Sequence, residues 1–179
     1  VPGTADASTV PDTISLPADS PLRRLAASAP TLVVLLRSFG CTFCREALAD
    51  VAAVKPELDA AGVPIAFIHT ESADDAAPWF AKYGLRDVTR ISDPGRVLYR
   101  AFGLDRTSAT AIVDPSVWVR GAACAVQHGF GVQDYETMRR QPGVFVIAGD
   151  RVLAAFRHRT PADRPDYRSL VGSVKTLVQ

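Results

Sequence analysis

In the stretch RSFGCTFCRE, residues 37–46, two cysteines stand three positions apart. A thiol attacks only as its thiolate, and a free cysteine with a pKa of ~8.5 is mostly protonated near neutrality. Chemistry at Cys41 therefore requires something that stabilises an anion. The apolar run TLVVLL ends just before the pair and a helical pattern begins just after it. Cys41 thus falls at a helix start, where unsatisfied backbone N–H groups and the positive end of the helix dipole favour negative charge. Arg37 and Arg45 stand close enough in sequence to add to that field, and the helix start is expected to set Cys41 nearest to solvent. The i, i+3 spacing brings Cys44 to the same side of the first turn, within reach of a disulfide. Such a pair can cycle between dithiol and disulfide.

Other uses of these residues are open at this level. Free cysteines also serve as small core residues. Cys124 and His128, spaced i, i+4, complete with Cys41 and Cys44 a four-ligand set of the kind zinc takes. A lone Cx3H spacing is common by chance, so the expectation is no metal and no organic cofactor. Cys124 otherwise reads as a core residue or as a second resolving thiol. His69, at the end of an apolar run, reads as a near-core histidine, and His158, in the charged stretch RHRTPADRPD, as a solvated one. Pro142 directly precedes GVFVI, either as a rigid turn or as a cis proline that presents its neighbouring backbone beside the cysteines.

The elements that must position these residues follow from periodicity. TLVVLLR (31–37) reads as a strand buried on both faces and residues 41–61 as a helix stopped by Gly62. VPIAFIHT (63–70) is a second strand, ESADDAAPWFAKYG a helix with an acidic first turn, and VTRIS (88–92) a short third strand. PGVFVIAGDRVLAAFRHR reads as an antiparallel hairpin about Gly149 and Asp150, and the closing segment as a helix with apolar positions at Leu170, Val171, Val174 and Leu177. Residues 1–30 form a lead-in with a short strand in VPDTISL and a short helix in PLRRLAASA. Residues 105–140 carry less periodicity and read as an insertion packed by Trp118, Phe130 and Tyr135. A βαβ half followed by a ββα half predicts an α/β/α sandwich of thioredoxin-like type, with a central mixed sheet and an insertion before the C-terminal hairpin.

Bulk composition narrows the classes. At 179 residues and 47% hydrophobic, the chain suits a single domain spanning 1–179. A net charge of +1, from charges spread along the chain, offers no field for nucleic acid or anionic lipid. TLVVLL is too short to span a bilayer, and the N-terminus lacks a basic segment followed by an apolar one. A cytoplasmic location is expected, with an exported and already trimmed chain as the alternative. Three cysteines do not make a disulfide scaffold.

At the level of whole segments the chain resembles the thioredoxin-like superfamily, and within it the peroxiredoxin-like AhpC/TSA-type antioxidant proteins. VPDTISLP is similar to their N-terminal strand, LLRSFGCTFCREAL to their active-site segment, and RISDPGRVLYRAFGL to the segment after their third strand. GVFVIAGDRVLAAFRHRTPADRPD is similar as well, with Pro142 where thioredoxins carry a cis proline. The resemblance implies a cysteine-based oxidoreductase that acts on a peroxide or disulfide. A thiol reductant such as a thioredoxin or a low-molecular-weight thiol would recharge it. The rival reading is a zinc-binding or redox-silent interaction protein on the same fold. Peroxiredoxins carry PxxxTxxC around the attacking cysteine. Counted back from Cys44, the proline and threonine positions hold Arg37 and Cys41; counted back from Cys41, they hold Val34 and Ser38. The family's arginine before the late strand is displaced to Arg139 or Arg140.

Overall fold

The computed structural model describes residues 12–104, 115–129, 131, 141–160 and 162–175. Its centre is strand β1 (Thr31–Leu35), which pairs in parallel with β2 (Ile65–His69) and antiparallel with β4 (Gly143–Ala148). Strand β3 (Thr89–Ser92) extends the parallel side and β5 (Arg151–Arg157) the antiparallel side, giving the order β3-β2-β1-β4-β5. β4 and β5 form the hairpin expected from sequence, turned at Gly149, whose φ of 60° suits glycine.

The side-chain alternation of β1 explains why all five of its residues are buried. Leu32 and Val34 face a core shared with Phe67, Val144 and Val146 and with helices α2 (Thr42–Ala60), α3 (Ala73–Lys82) and α6 (Tyr167–Lys175). Val33 and Leu35 face a second core with Phe145 and Ile147, covered by α1 (Pro21–Ser28) and α4 (Val97–Ala101). Successive residues of a strand point to opposite faces, so a continuous apolar run is what a central strand between two helical layers requires. The result is the mixed-sheet α/β/α sandwich of thioredoxin-like type.

Three expectations change. The strand expected in VPDTISL is reduced to an isolated bridge between Thr13 and Arg151, flanked by the bonds Ile14 N–H to Asp150 O at 2.7 Å and Val152 N–H to Asp12 O at 2.9 Å. The region 105–140, read as an insertion of low periodicity, contains a 14-residue helix, α5 (Pro115–His128). Trp118 does not pack it: that side chain is 67% exposed, and the inward positions are Val117 and Cys124. Phe130, Tyr135 and Leu177 lie outside the described residues.

The strand ends that lead into the cysteine loop are fastened from the second layer. The Tyr99 hydroxyl of α4 lies against the carbonyl oxygens of Leu36 and, at 3.2 Å, of Ile68. Tyr99 is 2% exposed, so water cannot replace it. Tyr99→Phe is expected to lower stability by about 1–2 kcal/mol by withdrawing a buried donor from those carbonyls, measured as a shift in urea midpoint with unchanged slope.

Candidate active site

Strand β1 ends at Leu35 and the chain turns through residues 36–40 before α2 begins, which leaves Cys41 as the helix N-cap with an extended backbone (φ −78°, ψ 123°). Several contacts hold this loop. Arg45, expected to support the cysteines by its charge, instead donates from Nε to Phe39 O at 2.7 Å and from Nη1 to His128 O at 3.1 Å, and lies 4.3 Å over the Trp79 ring. Phe39 stacks on Trp79 with centroids 6.0 Å apart. The Gly131 N–H donates to Gly40 O at 3.0 Å, and a Cβ on Gly131 would lie 2.9 Å from Gly40 Cα. Arg45 is thus a clamp between the loop and the end of α5.

Arg37 is the residue that engages the sulfurs. Its guanidinium donates to Cys41 Sγ at 2.9 Å, and its backbone N–H donates to Cys44 Sγ at 3.2 Å. None of the three cysteines is bridged, and all are buried. The Cys44 thiol hydrogen-bonds to Cys41 and, with the Arg37 charge, holds the Cys41 pKa well below the ordinary thiol range against the cost of burial. The same bond, together with burial, pushes Cys44 well above that range. Burial works against the Arg37 charge, but the two sulfurs more than offset it and its pKa is raised. The arrangement is one sulfur held toward the thiolate, one thiol that donates to it, and one buried cation. Cys41 is 1% exposed and Cys44 4%, which corrects the expectation that the helix start sets Cys41 nearest to solvent. Packing of the loop under Phe39 and α5 decides this, and periodicity cannot report it.

Beside the sulfurs lies a cavity of about 20 Å³ whose walls include Arg37, Cys41, Cys44, Pro142, His158 and Tyr167. Pro142, an expected supporting residue, therefore does sit beside the pair, and no cis peptide bond occurs among the described residues. His158, read from its charged neighbours as solvated, is 8% exposed, with its ring edge-on to Phe156 at 5.1 Å. Its neighbours in sequence point elsewhere because the end of β5 turns this one side chain inward. Tyr167, at the start of α6, carried no signal at all. His69 is buried as expected, its Nδ1 3.0 Å from Glu71 O.

The four-ligand set of Cys41, Cys44, Cys124 and His128 is not assembled. Among the described residues, the group whose potential ligand atoms converge within 4.8 Å is Glu46, Cys124 and His128. Cys124 faces the Thr42 carbonyl at 3.6 Å, and Glu46 pairs with Arg120 at 2.5 Å, while Cys41 and Cys44 are turned to Arg37. Arg139 and Arg140 lie outside the described residues.

The AhpC/TSA family model matches residues 17–156. The chain belongs to the AhpC/TSA family. It is accordingly a thiol-dependent oxidoreductase of the antioxidant type. The chain is similar to the prostamide/prostaglandin F synthase of Salmo salar, with 24% identity over 79% of this chain and 72% of that protein. Among solved structures, reduced Prx3 from Vibrio vulnificus aligns with a TM-score of 0.57 at 16% identity, covering 98% of this chain and 99% of that one. The thiol peroxidase from Chromobacterium violaceum aligns with a TM-score of 0.56 at 15% identity over 86% and 75%. Peroxidoxin BcpB from Mycobacterium tuberculosis aligns with a TM-score of 0.54 at 17% identity over 88% and 83%. At these identities the likeness is one of fold. Among the described residues no helix is long and apolar enough to cross a membrane.

Two measurements check the electrostatics. Thiolate absorbance of the reduced AhpC/TSA protein is expected to rise in separate steps, the first well below the ordinary thiol pKa, and Arg37→Met is expected to move that first step upward. Burial pushes the His158 pKa down to about 4. An unfolded histidine binds its proton near ~6.5, so below that pH the unfolded chain gains a proton the folded chain refuses. Stability should be full above ~6.5 and decline by about 3 kcal/mol as pH falls to the folded value, with His158→Gln flattening the decline in urea midpoints.

Proposed function

We propose that this protein reduces peroxides or disulfides through a Cys41–Cys44 dithiol/disulfide cycle. The observation that carries the reading is the Arg37 guanidinium 2.9 Å from Cys41 Sγ, at the start of the helix that also carries Cys44. A thiolate attacks the O–O or S–S bond, its sulfur becomes a sulfenic acid or mixed disulfide, and water or a thiol leaves. Cys44 then attacks the Cys41 sulfur and closes the disulfide. A thiol reductant, either a thioredoxin or a low-molecular-weight thiol, returns both cysteines to the dithiol. A cytoplasmic setting, where such donors are abundant, suits the cycle. It needs no organic cofactor and no metal, nucleic acid or membrane.

The choice of Cys41 as attacker rests on the division of charge between the sulfurs. Counted as a peroxiredoxin site, Cys44 would be the attacker and Cys41 would hold the threonine position. Here, however, Cys44 is the partner pushed toward the protonated form, whereas the Arg37 guanidinium donates to Cys41 Sγ at 2.9 Å and helps to hold that sulfur toward the thiolate. The salmon relative is named as a prostaglandin F synthase, so a prostaglandin-type lipid belongs beside hydrogen peroxide and a small disulfide among the substrates to be tried.

Cys44→Ser is expected to accumulate sulfenic acid or mixed disulfide at Cys41, and Cys41→Ser to be inert, both read by mass spectrometry after a sulfenic-acid trap. Rapid sulfenylation of Cys44 in Cys41→Ser would reverse the roles. Arg37→Met should slow the first step by roughly 100-fold, as expected for the loss of a positioned electrostatic donor.

A further inference from the structure

We propose that His158 is the base that takes the proton from Cys44 when Cys44 attacks the oxidised sulfur of Cys41, the proton crossing the cavity that both residues line. The proposal rests on the reading of Cys41 as attacker and Cys44 as resolver.

The need for such a base follows from the resting arrangement. In the dithiol, Cys44 keeps its proton because it donates to the Cys41 thiolate. Once Cys41 has been oxidised that anion is gone, and Cys44 is a buried thiol that must be deprotonated to attack. Solvent is a poor acceptor for a residue 4% exposed. Among the described residues no carboxylate lines the cavity; its titratable groups besides the cysteines are Arg37, His158 and Tyr167. Arg37 has no lone pair to offer. Burial pushes the Tyr167 pKa up, which makes its hydroxyl a proton donor rather than a base. His158 remains.

Its geometry suits the task. His158 Nδ1 is buried without a hydrogen-bond partner, and so is Tyr167 Oη. Buried polar atoms of this kind are uncommon and call for an explanation. The cavity of about 20 Å³ exceeds the ~10–15 Å³ that one water requires, so a single bridging water between Cys44 and Nδ1 is sterically allowed. The charged groups facing the ring are Asp163 from the turn after β5, Arg37 from the loop after β1 and Arg120 from α5, and the Pro142 carbonyl favours the protonated ring. Asp163 and Pro142 thus favour the transient imidazolium, while burial and the two arginines oppose it and return the ring to its neutral form once the proton has passed on.

The step balances without a further oxidant. The Cys44 S–H bond breaks with its proton going to His158, and the Cys44 sulfur bonds to the Cys41 sulfur. The S–O bond of the Cys41 sulfenic acid breaks, and the departing hydroxide recovers the proton from the imidazolium as water. The Arg37 backbone N–H, 3.2 Å from Cys44 Sγ, stabilises the thiolate as it forms.

The test mixes reduced protein with hydrogen peroxide and follows Cys41 sulfenic acid and the Cys41–Cys44 disulfide separately by quenched mass spectrometry. In His158→Gln, sulfenic acid should form at the wild-type rate while disulfide closure slows by roughly 100-fold, the scale of a lost general base, and recovers as pH rises. Wild-type closure should be nearly independent of pH from about 5.5 to 8, a range in which a buried neutral imidazole keeps its lone pair. Wild-type closure that rises tenfold per pH unit through that range would overturn the proposal without recourse to any variant. So would His158→Gln that closes at the wild-type rate while Cys44→Ser accumulates sulfenic acid at Cys41. Absence of that sulfenic acid in Cys44→Ser would overturn the assignment of Cys41 itself, and the base assignment with it.

Discussion

A buried guanidinium facing a buried thiolate is the interaction around which this site is organised. Neither charge is tolerable alone: an isolated ion taken out of water carries a penalty of several kcal/mol, and the usual response is neutralisation. Arg37 does not neutralise under any ordinary condition, so the demand falls on its surroundings to supply negative charge. Cys41 meets it, with the Cys44 thiol donating to the same sulfur. The chemistry and the stability of the loop are therefore two aspects of one contact. The sulfur is held toward the anionic form by the cation, and the cation is admitted to the interior by the sulfurs.

That contact depends on where the sheet delivers the chain. β1 runs between two apolar layers, so its register cannot slip by one residue without sending Leu32 and Val34 to the wrong face. Tyr99 fastens the carbonyls at the exits of β1 and β2, and Arg45 with Phe39 and Trp79 fixes the loop that follows. The two arginines that flank the cysteines divide the work. Arg37 faces the sulfurs, whereas Arg45 spends its donors on backbone carbonyls of the loop and of α5. Their charge is the same; the difference lies in which side of the loop each side chain leaves.

The other wall of the site is made of groups that are polar but uncharged at rest. His158 and Tyr167 are driven neutral by desolvation, and they stand against the sulfurs across a space of molecular dimensions. The cation thus lies on the side of the loop after β1, and the uncharged polar groups lie on the β5 and α6 side. The ion pairs of the outer surface, such as Arg164 with Asp50 at 2.6 Å and Arg168 with Glu57 at 2.7 Å, join α2 to the C-terminal segment in solvent and contribute little energy each.

The order of elements from β1 to β3 and from β4 to α6, the central position of TLVVLL, the hairpin at Gly149 and the placement of Cys41 at a helix start were legible in the chain, because each follows from periodicity or turn chemistry within a few residues. So was the pairing of Cys41 with Cys44, since an i, i+3 spacing on a first turn is a local distance. What the tertiary structure decided was everything that depends on contacts between distant segments. Arg37 and Arg45 look alike in sequence, and only the packing of α5 against the loop separates cation from clamp. His158 sits among charged residues and reads as solvated, yet the end of β5 turns it inward to meet Tyr167 and the cysteines from far along the chain. Cys124 and His128 share a helix face with no means of telling, from their spacing, that the partner across from them is Glu46. Local pattern fixes which face of an element a residue occupies; what that face meets is set by how the layers close, and here that closure supplies the cation, the burial and the cavity that give two ordinary cysteines unequal proton affinities.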